Sequence, residues 1–318
     1  MNILITEPEG YSSHAIALYK RLGHVWLLPD TGKPLHKAIA DADAVVIRLG
    51  YLFDNQILTT AEKLRYIISP TTGLDHIDLE AAAAKNITII SLQGESQFLA
   101  SIPSTAEFTR GLLLALIRQI PAAAQHVSTG GWNRNLFKGQ NLNGRKLALL
   151  GLGRVGKQVA TYAKAFGMRI MAYDPAAAEW PARVQKAENP EDLFTWGDIL
   201  SIHIPLAGNE GFVSPMLLHR LKKGAFVINT SRGKVWDEAC VAGLLSNGYI
   251  GGIATDVLDG EMGEISLQKN PLLALAGKGY NLIITPHIAG ATHESMKATE
   301  DFVAEKFQVL LLAGEMRS

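Results

Sequence analysis

The chain has 318 residues, which is long for a single core and enough for two domains. Its 30 basic and 30 acidic side chains cancel without any run of five like charges, which excludes the electrostatic footprint of nucleic acid or an anionic membrane and leaves a small molecule as the expected partner. The most apolar stretch, Gly111 to Ile117, lies between Arg110 and Arg118 and falls far short of the ~20 residues of a membrane span, while a single cysteine excludes an internal disulfide framework.

The N-terminus, Met1 to Glu7, has no basic leader and reads as a first strand, so a cytoplasmic location is expected. Apolar runs at Ile3 to Thr6, Val25 to Leu28, Ala44 to Arg48, Arg65 to Ile68 and Thr88 to Ile90 predict strands. Helical patterns at Ser13 to Arg21, Leu35 to Ala40, Asn55 to Thr60 and Leu79 to Lys85 alternate with them. Buried strands joined by helical crossovers imply a parallel sheet covered on both faces.

Turn formers fill Gly94 to Ser101, and Pro103 and Ser104 introduce a bridging helix, Thr105 to Ile120, that Pro121 is expected to end. Gln125 to Asn143 is polar and reads as an irregular connection. The strand Lys146 to Leu150 then runs into Gly151-Leu152-Gly153-Arg154-Val155-Gly156 and a helix to Phe166. Strands follow at Arg169 to Tyr173, Ile199 to His203, Ala225 to Asn229, Gly251 to Thr255 and Leu282 to Thr285, six in all with the first. Helices fit Glu191 to Thr195, Pro215 to Leu221 and Asp237 to Asn247, and the last, His293 to Leu312, is expected to return to the first domain. Cys240 falls in a helical pattern with no histidine base near it in sequence and is expected to be core.

The glycine hexapeptide has the spacing of a dinucleotide-binding turn. Gly151 permits the tight turn, Gly153 lets backbone approach a pyrophosphate, and Gly156 lets helix and strand pack closely. The helix start, with Arg154 and Val155, offers free N–H groups to phosphate. Asp174, 18 residues after the last glycine, is placed to accept from adenosine ribose hydroxyls and to repel a 2′-phosphate, so NAD is preferred to NADP.

Three polar residues follow strand ends: Arg232, Glu261 and His287. In open α/β sheets ligands bind at that edge. An arginine holds a carboxylate through two parallel hydrogen bonds, a histidine passes a proton near neutral pH, and a neighbouring carboxylate favours the imidazolium form. Together they suit hydride transfer to a 2-oxo acid. No metal ligands are assigned.

Asn229-Thr230-Ser231-Arg232-Gly233, Thr255-Asp256-Val257 leading to Glu261, and Thr285-Pro286-His287-Ile288-Ala289-Gly290 stand in this order, with gaps of 29 and 26 residues between the three charged groups. With the central fingerprint, they resemble the D-isomer-specific 2-hydroxyacid dehydrogenase family over nearly the whole chain. The resemblance implies an α/β fold of two doubly wound parallel-sheet domains. A Rossmann NAD domain, 101–287, would be inserted into a discontinuous, flavodoxin-like substrate domain, 1–100 and 288–318.

It further implies that His287 is the acid for reduction and the base for oxidation, that Glu261 pairs with it, and that Arg232 binds the substrate carboxylate. Thr72 and Gly73 would grip that carboxylate from the first domain, and the loop at Arg48 and Leu49 would line the specificity pocket. Asp256 and the main chain near Thr230 would hold the nicotinamide carboxamide, with His203, Pro205 and Gly290 bordering the cofactor.

Met262, Thr71 and Trp236 depart from the family's usual proline, glycine and smaller residue, and Glu261 argues against the formate dehydrogenase branch, which pairs its histidine with glutamine. A short-form D-3-phosphoglycerate dehydrogenase is the alternative substrate reading, with Arg48, His76 or Lys138 as phosphate ligands. An NAD-sensing, corepressor-like binding protein is the alternative of another class. The resemblance also implies a homodimer, with Gln125 to Asn143 as the interface.

Overall fold

The computed structural model describes residues 1–262 and 268–315. The chain forms two compact units, Met1–Ser101 with Thr292–Ser318, and Ile102–Ala291. These limits lie one residue and four residues beyond the boundaries expected from sequence.

In the first unit five strands, β1 (Asn2–Ile5), β2 (His24–Leu27), β3 (Ala44–Val46), β4 (Tyr66–Ile68) and β5 (Thr88–Ile90), pair in parallel in the order β2-β1-β3-β4-β5. Ile3, Leu4, Ile5, Val45, Ile67 and Ile68 are almost fully buried, as strands covered on both faces require. The helix Ser13–Leu22 is capped by the Ser12 hydroxyl, which accepts from the Ala15 N–H. The final helix, His293–Glu315, packs on it and on the β4–β5 side.

Among the described residues the second unit holds seven strands: β6 (Lys146–Leu150), β7 (Arg169–Tyr173), β8 (Val184–Lys186), β9 (Ile199–Ile202), β10 (Phe226–Asn229), β11 (Gly252–Thr255) and β12 (Leu282–Ile284). They are all parallel, in the order β12-β11-β10-β9-β6-β7-β8. The order reverses between β6 and β9, so the fingerprint turn leaves the sheet at the topological switch point. Along β6, Ala148 and Leu150 enter one core while Leu147 and Leu149 enter the other, the period-2 signature of a sheet with helices on both sides.

Several local expectations are corrected. The sequence count of six strands missed β8, whose residues Val-Gln-Lys present no apolar run because the strand is a half-exposed edge. The bridging helix spans Ser104–Ile117 and stops before Pro121: Gln119 adopts a left-handed φ of 53°, and Pro121 opens a second helix, Ile120–Ser128. Proline in a first turn loses no hydrogen bond, so it starts this helix instead of ending the previous one. The stretch Gln125 to Asn143 is therefore helical at its start and also contains a short 3₁₀ turn, Arg134–Phe137. Residues Ser96–Ala100, expected as turn, form one helical turn. Among the described residues no helix is long and apolar enough to cross a membrane.

Candidate active site

Strands β6, β9, β10, β11 and β12 are consecutive neighbours, so the loops after them line one edge of the sheet. At β6, Gly151 has φ +94°, and a Cβ there would meet the His203 carbonyl oxygen at 2.5 Å. A Cβ on Gly156 would meet the Gly151 carbonyl oxygen at 2.3 Å, so the helix Arg154–Ala165 sits against the turn at a distance only glycine allows. A Cβ on Gly153 would meet nothing within 4 Å. Gly153 thus borders open space at the start of that helix, and the arrangement fits a dinucleotide pyrophosphate.

Asp174, at the end of β7, accepts from the Leu152 N–H (2.7 Å) and the Ala176 N–H (2.9 Å), so it braces the fingerprint turn as well as standing where the ribose is expected. Arg154 turns away from the turn, donating to the Ile102 carbonyl (3.0 Å), and Lys157 faces Glu179 at 3.6 Å. Burial lowers the Arg154 pKa. Val155 is half-buried and Pro205 exposed. His203 shares a 2.8 Å hydrogen bond between its Nε2 and the Ser201 hydroxyl, and burial lowers its pKa to about 4, so it stands neutral beside the turn.

Arg232 follows β10 in extended backbone (φ −146°), its loop held by Asn229, whose side-chain amide donates to the Arg232 carbonyl (3.0 Å) and accepts from the Ser231 N–H (3.0 Å). Its Nη1 donates to the Ser231 carbonyl (2.8 Å). Gly233 lies against the next loop so closely that a Cβ would be 2.1 Å from the Asp259 nitrogen. This contact fixes the Arg232 loop against the loop carrying Glu261.

Glu261 Oε1 faces His287 Nδ1 at 2.6 Å, and Glu261 Oε2 accepts from the Leu258 N–H at 3.0 Å. An ionised carboxylate only accepts, so Nδ1 carries the proton and Nε2 is the nitrogen left for proton exchange. The two side chains are 27% and 22% exposed, reachable by a small molecule yet largely shielded from water.

His287 itself has φ +54°, an unfavourable conformation for a bulky L-residue. It is held there by Asp256. The His287 N–H donates to the Asp256 carbonyl (2.8 Å), and the Asp256 carboxylate accepts from Thr285 Oγ1 (2.5 Å), Ile288 N–H (2.9 Å) and Ala289 N–H (2.7 Å). Asp256 is therefore a clamp on the histidine loop, a task its sequence position did not disclose. Gly290, just beyond, has open space on its Cβ side.

Sequence reading also missed Thr109. Its hydroxyl, buried on the bridging helix, meets the Thr230 hydroxyl at 2.9 Å and ties that helix to the β10 loop. No local signal marks it, since Ser104, Thr105, Glu107 and Arg110 make this half of the helix polar. Among the described residues no group of three His, Cys, Asp or Glu side chains is placed to hold a metal.

In the first unit, the Thr72–Gly73 loop is pinned by the Thr71 hydroxyl, which donates to the Gly73 carbonyl (2.8 Å) and shares hydrogen bonds through Ser69 with buried His76. Glu7 holds the Arg48–Gly50 loop by accepting from both end N–H groups (2.7 and 2.9 Å), with Leu49 half-buried between them.

The Arg48 side chain corrects the expectation placed on it. Its guanidinium pairs with Glu300, donates to the Glu9 carbonyl (2.9 Å) and lies 4.9 Å over the Tyr11 ring. Arg48 thus ties its loop to the last helix, and with His76 buried neither is presented to a substrate phosphate. Lys138 is exposed.

Cys240 is also corrected: it is half-buried at the edge of the core, with His219 Nε2 4.0 Å from its sulfur. Burial, with a contribution from Asp237, raises the thiol pKa, so it is not poised as a nucleophile.

Residues 110–289, more than half of the chain, match the family model "D-isomer specific 2-hydroxyacid dehydrogenase, NAD binding domain". The D-3-phosphoglycerate dehydrogenase of Methanocaldococcus jannaschii is 35% identical over 99% of this chain and 58% of its own length. Hydroxypyruvate reductase of Thermotoga maritima is 32% identical over 86% of each chain. A Thermus thermophilus protein of known structure superposes with a TM-score of 0.82 at 28% identity, covering 98% of this chain and 97% of that one. The chain spans about half the length of the D-3-phosphoglycerate dehydrogenases it matches. The shared domain, the fingerprint at the switch point and similarity to these relatives over most or nearly all of this chain lead to one conclusion: the chain belongs to the D-isomer specific 2-hydroxyacid dehydrogenase family.

Proposed function

We propose that the protein is an NAD-dependent D-2-hydroxyacid dehydrogenase, interconverting a 2-oxo acid and its 2-hydroxy acid with His287 as acid and base. The observation that carries this reading is the 2.6 Å pair between His287 Nδ1 and Glu261 Oε1, at the sheet edge that also carries the fingerprint. Gly151, Gly153 and the N–H groups of the following helix would hold the pyrophosphate, Asp174 the ribose, and His203, Pro205, Thr230, Asp256 and Gly290 would border the nicotinamide half. When bound, the reduced cofactor supplies the hydride.

The chain's own residues do the rest. Arg232 binds the substrate carboxylate and orients the carbonyl, and His287 Nε2 gives its proton to the carbonyl oxygen as that oxygen becomes a hydroxyl. Glu261 keeps Nδ1 protonated and balances the imidazolium charge. In oxidation His287 takes the proton back. The family resemblance adds Thr72, Gly73 and Leu49 of the first unit as substrate-binding residues.

Among substrates, 3-phosphohydroxypyruvate and hydroxypyruvate are favoured because the M. jannaschii and T. maritima relatives are named for those reactions. With Arg48 and His76 committed elsewhere, a phosphate would need another cation. NADH oxidation measured with pyruvate, glyoxylate, hydroxypyruvate, phenylpyruvate and 3-phosphohydroxypyruvate tests the reading. Turnover with at least one supports it, whereas tight NADH binding without turnover on any would overturn it in favour of an NAD sensor.

The assembly belongs to the same proposal. Ile120, Val127, Trp132 and Leu136 expose large apolar surface on one short stretch, Trp132 at 88%. Such a patch fits the self-complementary interface of a homodimer in the cytoplasm. Size-exclusion chromatography should give a dimer that Trp132→Glu converts to monomer; a monomeric wild type at micromolar concentration would refute it.

A further inference from the structure

Glu261 works only if its loop is rigid, and the groups that make it rigid lie outside the residues that face substrate. Glu238, in the first turn of the helix Glu238–Ser246, is 7% exposed. Its Oε1 accepts from the Asp259 N–H at 2.9 Å, and its Oε2 accepts from the side-chain amide of Asn270, which is 4% exposed. The Asn270 amide has one orientation, because its Oδ1 accepts from the Leu272 and Leu273 N–H groups (3.0 and 3.3 Å). Its Nδ2 must therefore face Glu238, and it also reaches the Asp259 carbonyl at 3.4 Å.

Asp259 is the node of this network. Its neighbour Leu258 donates to Glu261, and Gly233 of the Arg232 loop packs on the Leu258–Asp259 peptide. A buried carboxylate is costly unless its lone pairs are used. Burial raises the Glu238 pKa, and the hydrogen bonds from Asp259 and Asn270 oppose that rise.

We propose that Glu238 and Asn270 are a paired positioning device that fixes the Glu261 loop from both sides and so orients His287. The proposal rests on the acid–base reading of His287. Neither residue touches substrate. They act on the reaction because a carboxylate displaced by about 1 Å costs up to ~100-fold in rate.

Polarity supplies the test. Glu238→Gln keeps one acceptor and turns an NH₂ toward a donor, and Asn270→Asp sets two carboxylates against each other. Combined, they restore the hydrogen bond between positions 238 and 270 with its direction reversed: the amide now at position 238 accepts from the Asp259 N–H and donates to the carboxylate now at position 270, which still accepts from Leu272 and Leu273, and only the long 3.4 Å bond to the Asp259 carbonyl is lost. Each variant is measured for kcat with hydroxypyruvate or 3-phosphohydroxypyruvate, for NADH Kd, and by nitrogen NMR of His287, whose signal is assigned by its loss in His287→Asn.

The single variants should lose about tenfold in kcat, with NADH Kd within about twofold. The Nδ1–H signature of His287 should weaken with them. The double variant should recover to within about threefold of wild type and regain the NMR signature. Singles with wild-type kcat and an unchanged signature would overturn the inference, as would a double variant no better than its parents. If His287→Asn itself turns over normally, the acid–base assignment fails, while the NMR signature still reports whether Glu238 and Asn270 hold Glu261 and His287 together.

Discussion

Replacing Asp256 by alanine removes the acceptor that holds the histidine loop, and the consequences follow from its partners. Asp256 is 1% exposed and accepts from Thr285 Oγ1, Ile288 N–H and Ala289 N–H. Ala289, 4% exposed, cannot turn its freed N–H to bulk water, whereas Ile288 is 40% exposed and can do so in part. A buried donor left without a partner costs about 1 to 3 kcal/mol. The His287 backbone, at φ +54°, also loses the frame that maintains a strained conformation. Asp256→Ala should therefore destabilise the second unit by about 2 to 4 kcal/mol, a fall of roughly 4 to 16 °C in Tm for a unit of this size. Asp256→Asn keeps one acceptor and should fall between. Thermal unfolding followed by circular dichroism measures the shift, and kcat should drop with it as His287 relaxes. A variant that melts within about 2 °C of wild type would refute the clamp.

Other perturbations probe the rest of the account. Arg48→Ala leaves Glu300, 1% exposed, without its cation, and should destabilise the first unit by about 3 to 5 kcal/mol. The apolar double replacement Arg48→Met with Glu300→Leu should cost much less, and equal melting losses would contradict the pairing. His203 has a folded pKa lowered to about 4 from an ordinary 6.5, so below 6.5 the unfolded chain takes up a proton that the folded chain refuses. Its contribution to stability is thus complete above pH 6.5 and is lost as pH falls toward 4; His203→Gln should flatten that part of the stability profile, and an unchanged profile would exclude it. Arg232→Ala should lower kcat/KM for a 2-oxo acid by about 100-fold or more while NADH Kd stays within twofold. An unchanged kcat/KM would remove it from the site.

What could be read in advance follows from how local each determinant is. The glycine hexapeptide, Asp174 and the strand-end positions of Arg232, Glu261 and His287 are legible because strand, turn and helix signals surround them within a few residues. Strand β8 escaped because Val-Gln-Lys at a sheet edge needs no apolar alternation. Pro121 misled because the same residue ends one helix and begins another, and only the left-handed Gln119 decides between them. Arg48 was read as a substrate contact because its partner, Glu300, lies 252 residues away. The second task of Asp256 and the proximity of His219 to Cys240 likewise depend on long-range packing that no local pattern encodes.

The acid–base role of His287 is tested most directly by comparing His287→Asn with wild type for kcat and NADH Kd in the same buffer. Loss of about 100-fold or more in kcat with NADH affinity within twofold is the predicted result. Wild-type turnover, or an equal loss of cofactor affinity, would contradict it.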